Sequence, residues 1–166
     1  STLSIPNFVG FGDLDDIHKM PENLPPLSFW AGLSANGSPV YRNLAEAPHM
    51  IIAGSSGGGK SNMENTIACT LLRRNKPERL RVIFFDLKGG VEFDQYKGLP
   101  HLYPMKDGNW ETTGIVEYPS DVIPALNVLF KECMSRLGKL KKAGVKNIHE
   151  YNRKKRSNSI PYIVVF

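Results

Sequence analysis

At 166 residues, with 41% apolar and 22% charged residues, the chain has the length and mixture of one folded domain, which excludes the disordered class. No apolar stretch is long enough to span a membrane and no signal-peptide pattern is present, so neither feature is expected within these residues. Net charge is +5 with a pI near 9.2. Ten of the 21 basic residues fall in the last 36 positions: Lys131, Arg136, Lys139, Lys141, Lys142, Lys146, Arg153, Lys154, Lys155 and Arg156. Such clustering either attracts polyanions, nucleic acid first among them, or forms a solvated helix face and loop.

In chain order, residues 1–27 carry Pro6, Pro21, Pro25 and Pro26 and little periodicity, the composition of an arm or linker. Ser1-Thr-Leu-Ser lacks an initiator Met, so a processed chain or a piece of a longer one is expected. Residues 28–40 hold two short apolar runs around Asn36-Gly37, a hairpin signal. Residues 50–53 predict a short strand buried on both faces, and helical spacing follows from Lys60 to Leu72. Residues 81–86 predict a second buried strand and 112–118 a third. Ser120 is the expected cap of a long helix whose apolar positions are Val122, Ile123, Leu126, Leu129, Phe130, Cys133, Met134, Leu137 and Leu140, with Gly144 as its stop. Residues 161–166 predict a final buried strand. The two cysteines, Cys69 and Cys133, lie within apolar helical patterns and are expected as buried thiols in a reducing compartment. Alternating strands and helices predict an α/β fold, a mostly parallel sheet with helices on both faces.

The chemistry concentrates in Gly54-Ser55-Ser56-Gly57-Gly58-Gly59-Lys60-Ser61, which matches the phosphate-binding pattern G-x-x-x-x-G-K-[ST]. Its glycines let backbone N–H groups converge on phosphate oxygens, and the following helix adds its positive end. Lys60 is expected on the β- and γ-phosphates of ATP, the Ser61 hydroxyl on Mg2+, and Asn62 beside them. Asp86 ends an apolar strand 26 positions after Lys60 and offers itself as the magnesium carboxylate. The sequence reading disfavours that role and puts Asp86 near the nucleotide or a neighbouring subunit, at the C-terminal edge of the sheet. Residues 161–166 are the better match to a Walker B strand, whose Asp and Glu do not appear in the sequence.

The order and spelling of these features resembles the motor domain of the FtsK/SpoIIIE family of DNA translocases. The carrying residues are GLSANGSPVYRNLAEAPHMIIAGSSGGGKSNMEN, VIFFDLKGGVEFDQYKGLPHL, ECMSRLGKLKKAGVKNIHEYN and IPYIVVF. Three departures stand out: Leu87 where the translocases usually have Pro, with Gly89-Gly90 closer to type VII secretion ATPases; an inserted hairpin over residues 104–118; and the Asp-Glu pair, expected beyond Phe166. The resemblance implies a RecA-like P-loop ATPase domain over residues 28–166, its front part only, after the arm of residues 1–27. It further implies a subunit of a hexameric ring that uses ATP to thread double-stranded DNA, in conjugation or chromosome partition. Such a protein would sit at the inner face of the bacterial membrane, attached only through segments outside this chain. Arg136, matching the arginine of E-M-x-x-R, becomes a candidate catalytic residue at the subunit boundary. A type VII secretion-like ATPase that moves polypeptide, and a nucleotide-binding piece without hydrolysis, are the alternatives.

Overall fold

The computed structural model describes residues 20–166, so most of the arm expected over residues 1–27 lies outside them. The chain divides into two compact units, Ser1–Asn75 and Lys76–Phe166.

In the first unit, β1 (Ser28–Leu33) and β2 (Pro39–Asn43) form the expected antiparallel hairpin. Its register shifts between Trp30 and Gly32, where Gly32 takes φ 130°. The turn is closed by Ser34 and Ser38, whose backbones bond at 2.8 Å, and by Asn36, which accepts from the Ser38 N–H at 3.1 Å. Helix α1 (Lys60–Arg74) packs against β1 and buries Ile67, Ala68, Thr70 and Leu71. Leu27, Phe29 and Trp30 are the buried apolar residues of the hairpin side. Each fully buried side chain of this size contributes about 1.5–3 kcal/mol. Arg73 and Arg74 place cations at the negative end of the helix. Arg74 also donates to the carbonyls of Pro21 and Leu24, and Asn75 to that of Pro26, so residues 21–26 are tied to the end of α1.

The strand expected over residues 50–53 is not formed: these residues are in no ladder and Ile51 is 92% exposed. An apolar run becomes a strand only when another backbone satisfies its N–H and C=O groups, and here none does among the described residues.

The second unit is built on β3 (Leu80–Phe85), the middle strand of a parallel three-stranded sheet. One edge of β3 pairs with β6 (Ile115–Val116) and the other with β7 (Tyr162–Val165). Alternate residues of a strand face opposite sides. On one side Ile83 joins Met105, Val116 and Ala125 in a buried cluster. On the other, Phe84 stacks with Phe93, Tyr96 and Phe166 at centroid distances of 4.5, 4.7 and 5.0 Å. Burial on both sides is why this strand reads as a continuous apolar run.

Within residues 104–118 a hairpin is present as β4 (Met105–Asp107) and β5 (Trp110–Thr112). The strand expected over residues 112–118 is broken into β5 and the two-residue β6. Gly114 takes φ 118° between them, where a Cβ would lie 2.9 Å from the Tyr103 backbone nitrogen. Helix α2 (Val122–Ala143) is entered through a 3-10 turn, Pro119–Asp121, rather than capped by Ser120. The turn itself satisfies the Asp121 N–H, through Tyr118, and the Val122 N–H, through Pro119. Gly144 ends the helix in the left-handed conformation, φ 64°. Of the nine apolar positions predicted for α2, Val122 and Leu129 pack on the core. Ile123, Leu126, Phe130, Met134 and Leu137 form an exposed stripe, with Ile123 at 70% and Phe130 at 66%. Cys133 is exposed as well, and Cys69 is half-buried, so neither is the fully buried thiol expected. A short helix, α3 (Ile148–Lys154), precedes β7; Asn147 caps it by accepting from the Glu150 N–H at 2.9 Å.

Candidate functional site

Residues 54–61 in the first unit form a tight loop that opens directly into α1. Gly57 and Gly59 have φ of 74° and 83°, values that a side chain disfavours. A Cβ at Gly58 would meet the Ser55 carbonyl oxygen at 3.0 Å, so glycine is needed there for space rather than torsion. One bond closes the loop, from the Gly58 N–H to the Ser55 carbonyl at 3.0 Å. Among the described residues it is the only hydrogen bond donated by a loop N–H. The carbonyls, by contrast, are engaged. Lys60 folds back and its ammonium donates to the Gly54 oxygen at 2.9 Å and the Ser55 oxygen at 2.7 Å.

Three features therefore coincide: free amides, a cation held at the loop's rim, and the N-terminus of a 15-residue helix with no acidic residue in its first turn. All three favour an anion. Ser61 stands in that first turn, half-buried, and its carbonyl accepts from Asn65 at 2.9 Å. Asn62 is exposed, and its carbonyl accepts from the Thr66 hydroxyl at 2.8 Å. The whole set Gly54, Ser55, Ser56, Gly57, Gly58, Gly59, Lys60, Ser61 and Asn62 is thus brought together by one loop and one helical turn.

Asp86 and Arg136 belong to the second unit, and both are engaged there. Asp86 is buried at the C-terminal end of β3. Its Oδ2 accepts from the Glu92 N–H at 2.6 Å and the Phe93 N–H at 3.0 Å, and its carbonyl accepts from the Gly90 N–H at 3.2 Å. The carboxylate is the internal anchor of the loop Leu87-Lys88-Gly89-Gly90-Val91. Gly89 and Gly90 are left-handed, φ 82° and 81°, and a Cβ on Gly90 would collide with the Glu117 carboxylate. Glu117 is itself held by Lys97 at 2.8 Å, and Lys97 also pairs with Asp94 at 2.7 Å. The hydrogen bonds to Asp94 and then Glu117 hold the Lys97 ammonium above its ordinary pKa.

Arg136 donates from Nε to Glu132 at 2.6 Å and from Nη1 to the Pro161 carbonyl at 2.6 Å. It joins the middle of α2 to the residue just before β7. Sequence reasoning missed the loop-anchoring role of Asp86 and the strut formed by Arg136. The signal for the first was the turn-forming Gly89-Gly90 after a strand-ending aspartate; for the second, the Glu132–Arg136 spacing of four. Among the described residues no three His, Cys, Asp or Glu gather as metal ligands, and no helix is long and apolar enough to cross a membrane.

A model of the FtsK/SpoIIIE family matches residues 18–165. The DNA translocase FtsK of Mycobacterium tuberculosis (strain H37Rv) is 36% identical over 162 residues, covering 95% of this chain and 18% of that protein. This chain spans 14–20% of the length of such curated relatives. Among solved structures, the pCW3 conjugation coupling protein TcpA, in a monomer form with ATPγS, superposes with a TM-score of 0.66 at 28% identity. The match covers 89% of this chain and 39% of TcpA. The cytoplasmic domain of the type VII secretion ATPase EccC from Thermomonospora curvata gives a TM-score of 0.69 at 23% identity, covering 92% of this chain and 20% of that domain's chain. The latter likeness is one of fold.

Proposed function

The chain belongs to the FtsK/SpoIIIE family, and from that premise we propose that it supplies the nucleotide grip of an ATP-driven motor for double-stranded DNA. The observation that carries this is the wiring of residues 54–61: amides that, Gly58 apart, donate no hydrogen bond, left-handed Gly57 and Gly59, and the Lys60 ammonium at the rim. ATP would lie with its phosphates on the loop amides, and the Lys60 ammonium would exchange two carbonyls for β- and γ-phosphate oxygens. The Ser61 hydroxyl would hold Mg2+, which neutralises phosphate charge when bound. Asp86, with one carboxylate oxygen committed to two amides, sets the shape of its loop and leaves the metal to other carboxylates. Arg136 acts as a strut rather than as an arginine aimed at a neighbour's γ-phosphate.

The FtsK relatives, DNA translocases, and the likeness to the conjugation coupling protein TcpA support DNA as the cargo. A ring of six subunits at the inner face of the cell membrane, serving conjugation or chromosome partition, is the further part of the proposal and rests on the family resemblance alone. The test is the ATPase rate of the complete protein at low salt with and without double-stranded DNA. Stimulation is expected, and no response would sink the reading. The second reading, polypeptide as cargo, is favoured by the left-handed Gly89-Gly90 pair that resembles secretion ATPases. Binding of a secretion substrate's C-terminal segment, with indifference to DNA, would support it. For the 166-residue chain alone, ATP binding with negligible turnover is expected, because the Asp and Glu of a Walker B strand are not among its residues.

A further inference from the structure

Between Lys139 and Arg156 the chain carries eight cations, Lys139, Lys141, Lys142, Lys146, Arg153, Lys154, Lys155 and Arg156, against one carboxylate, Glu150. All eight are exposed. Among the described residues none of them forms an ion pair, whereas Lys97, Lys106, Lys131 and Arg136 elsewhere each do. Glu150 is occupied: its carboxylate accepts from the Lys146 N–H at 3.1 Å and from the Asn147 side chain at 3.3 Å.

This segment is a mounted platform and not a loose tail. Tyr151 is buried. Asn152 bonds both the N–H and the carbonyl of Ile160, each at 2.8 Å, and so closes the loop that carries Lys155 and Arg156. Lys154 donates to the Ala143 carbonyl at 2.7 Å, bracing the end of α2 against α3. Cations at the C-terminal ends of two helices are accounted for in part by the helix dipole. The dipole acts only over the last turn, however, and leaves Lys139, Lys146, Lys155 and Arg156 without that explanation.

We propose that residues 139–156 form a second contact surface, separate from the nucleotide loop, for the phosphate backbone of double-stranded DNA. Unpaired exposed cations on a fixed scaffold release counterions when phosphates replace them, which favours any dense linear polyanion. Ser157, Asn158 and Ser159 beside them are suited to phosphate oxygens. An anionic membrane is the other surface of this charge, but an interfacial element also inserts apolar side chains. From position 139 to 159 no large apolar residue is exposed. The choice of DNA as the polyanion rests on the translocase reading; the binding of a polyanion does not.

The test uses the complete protein without nucleotide and a short fluorescein-labelled duplex, titrated between about 50 and 200 mM salt. The fourfold variant Lys139→Gln, Lys142→Gln, Arg153→Gln, Lys155→Gln removes charge and none of the bonds named above. Affinity is expected to fall at least ~10-fold at low salt, and the slope of log affinity against log salt to flatten by up to ~3.6, about 0.9 for each lost phosphate contact. The charge-keeping variant Lys139→Arg, Lys142→Arg, Arg153→Lys, Lys155→Arg should retain both. Unchanged affinity and slope in the Gln variant would overturn the proposal. So would a loss confined to phosphatidylserine vesicles with DNA binding intact. A weakened DNA complex in a protein whose ATPase ignores DNA would support this surface while sinking the translocase reading.

Discussion

Two glycine-rich loops, each carrying a lysine, are wired in opposite senses. In residues 54–61 the lysine satisfies carbonyls and the loop N–H groups other than that of Gly58 donate no hydrogen bond, so what the loop lacks is an anion. In residues 86–93 an internal anion, Asp86, already satisfies the amides of Glu92 and Phe93, so the loop is complete in itself. The same residue types leave one loop open to an anion and close the other on itself. The difference is whether the chain itself supplies an anion that accepts from the loop's amides.

The comparison can be broken most directly at its two charged groups. Lys60→Ala removes the one cation at the outward loop. Charge-assisted hydrogen bonds are worth about 1.5–3 kcal/mol, so ATP affinity should fall roughly 10- to 150-fold, read by titration with a fluorescent analogue. Stability should hardly change, since only two exposed carbonyls lose a partner. Asp86→Ala should do the reverse. The buried Phe93 amide loses its acceptor at about 1–3 kcal/mol and the half-buried Glu92 amide loses its own at a smaller cost, lowering the urea midpoint, while residues 54–61 keep their own bonds.

A smaller effect comes from the glycines. Gly90→Ala meets both a left-handed φ and the Glu117 carboxylate, whereas Gly57→Ala meets the φ alone with open space around it. The torsion costs about 1–2 kcal/mol, so Gly90→Ala should exceed Gly57→Ala in lost stability. Adding Glu117→Ala should bring the two together; a persistent gap would mean that the collision does not set the cost. Arg136→Ala should lower stability by about 1–3 kcal/mol with ATP affinity intact. Normal stability with lost DNA-stimulated turnover would instead restore a catalytic role.

The smallest effect is a titration. Lys131 bonds Asp107 at 2.7 Å and holds its carboxyl below the ordinary 3.8. That contribution is complete above the ordinary value and is lost as pH falls through the lowered one. Lys131→Ala should return the Asp107 carboxyl resonance midpoint upward toward 3.8, observed by NMR.

The phosphate loop was legible from sequence because its requirements are local: glycines where φ is positive, a lysine, then a helix. β3 was legible for a similar reason, since burial on both sides leaves an unbroken apolar run. Residues 50–53 show the limit of that signal. Their run is as apolar, yet Ile51 is exposed, because a strand is decided by its ladder partner and not by its own composition. α2 shows another limit. Nine apolar positions predicted one stripe, but the helix is apolar on two sides and only one of them is buried. Asp86 was legible as an unusual residue and not in its role, since its partners lie six and seven residues further on.

The parallel pairing of Leu80 with Tyr162 also has a consequence in time. During synthesis β3 leaves the ribosome about eighty residues before the strand that covers its edge. At ~5–20 residues per second, its backbone waits roughly 4–16 s for that partner. Over that interval Phe84 lacks the ring of Phe166, which completes its aromatic stack. The central strand of the sheet is thus the one longest in need of shelter before it folds.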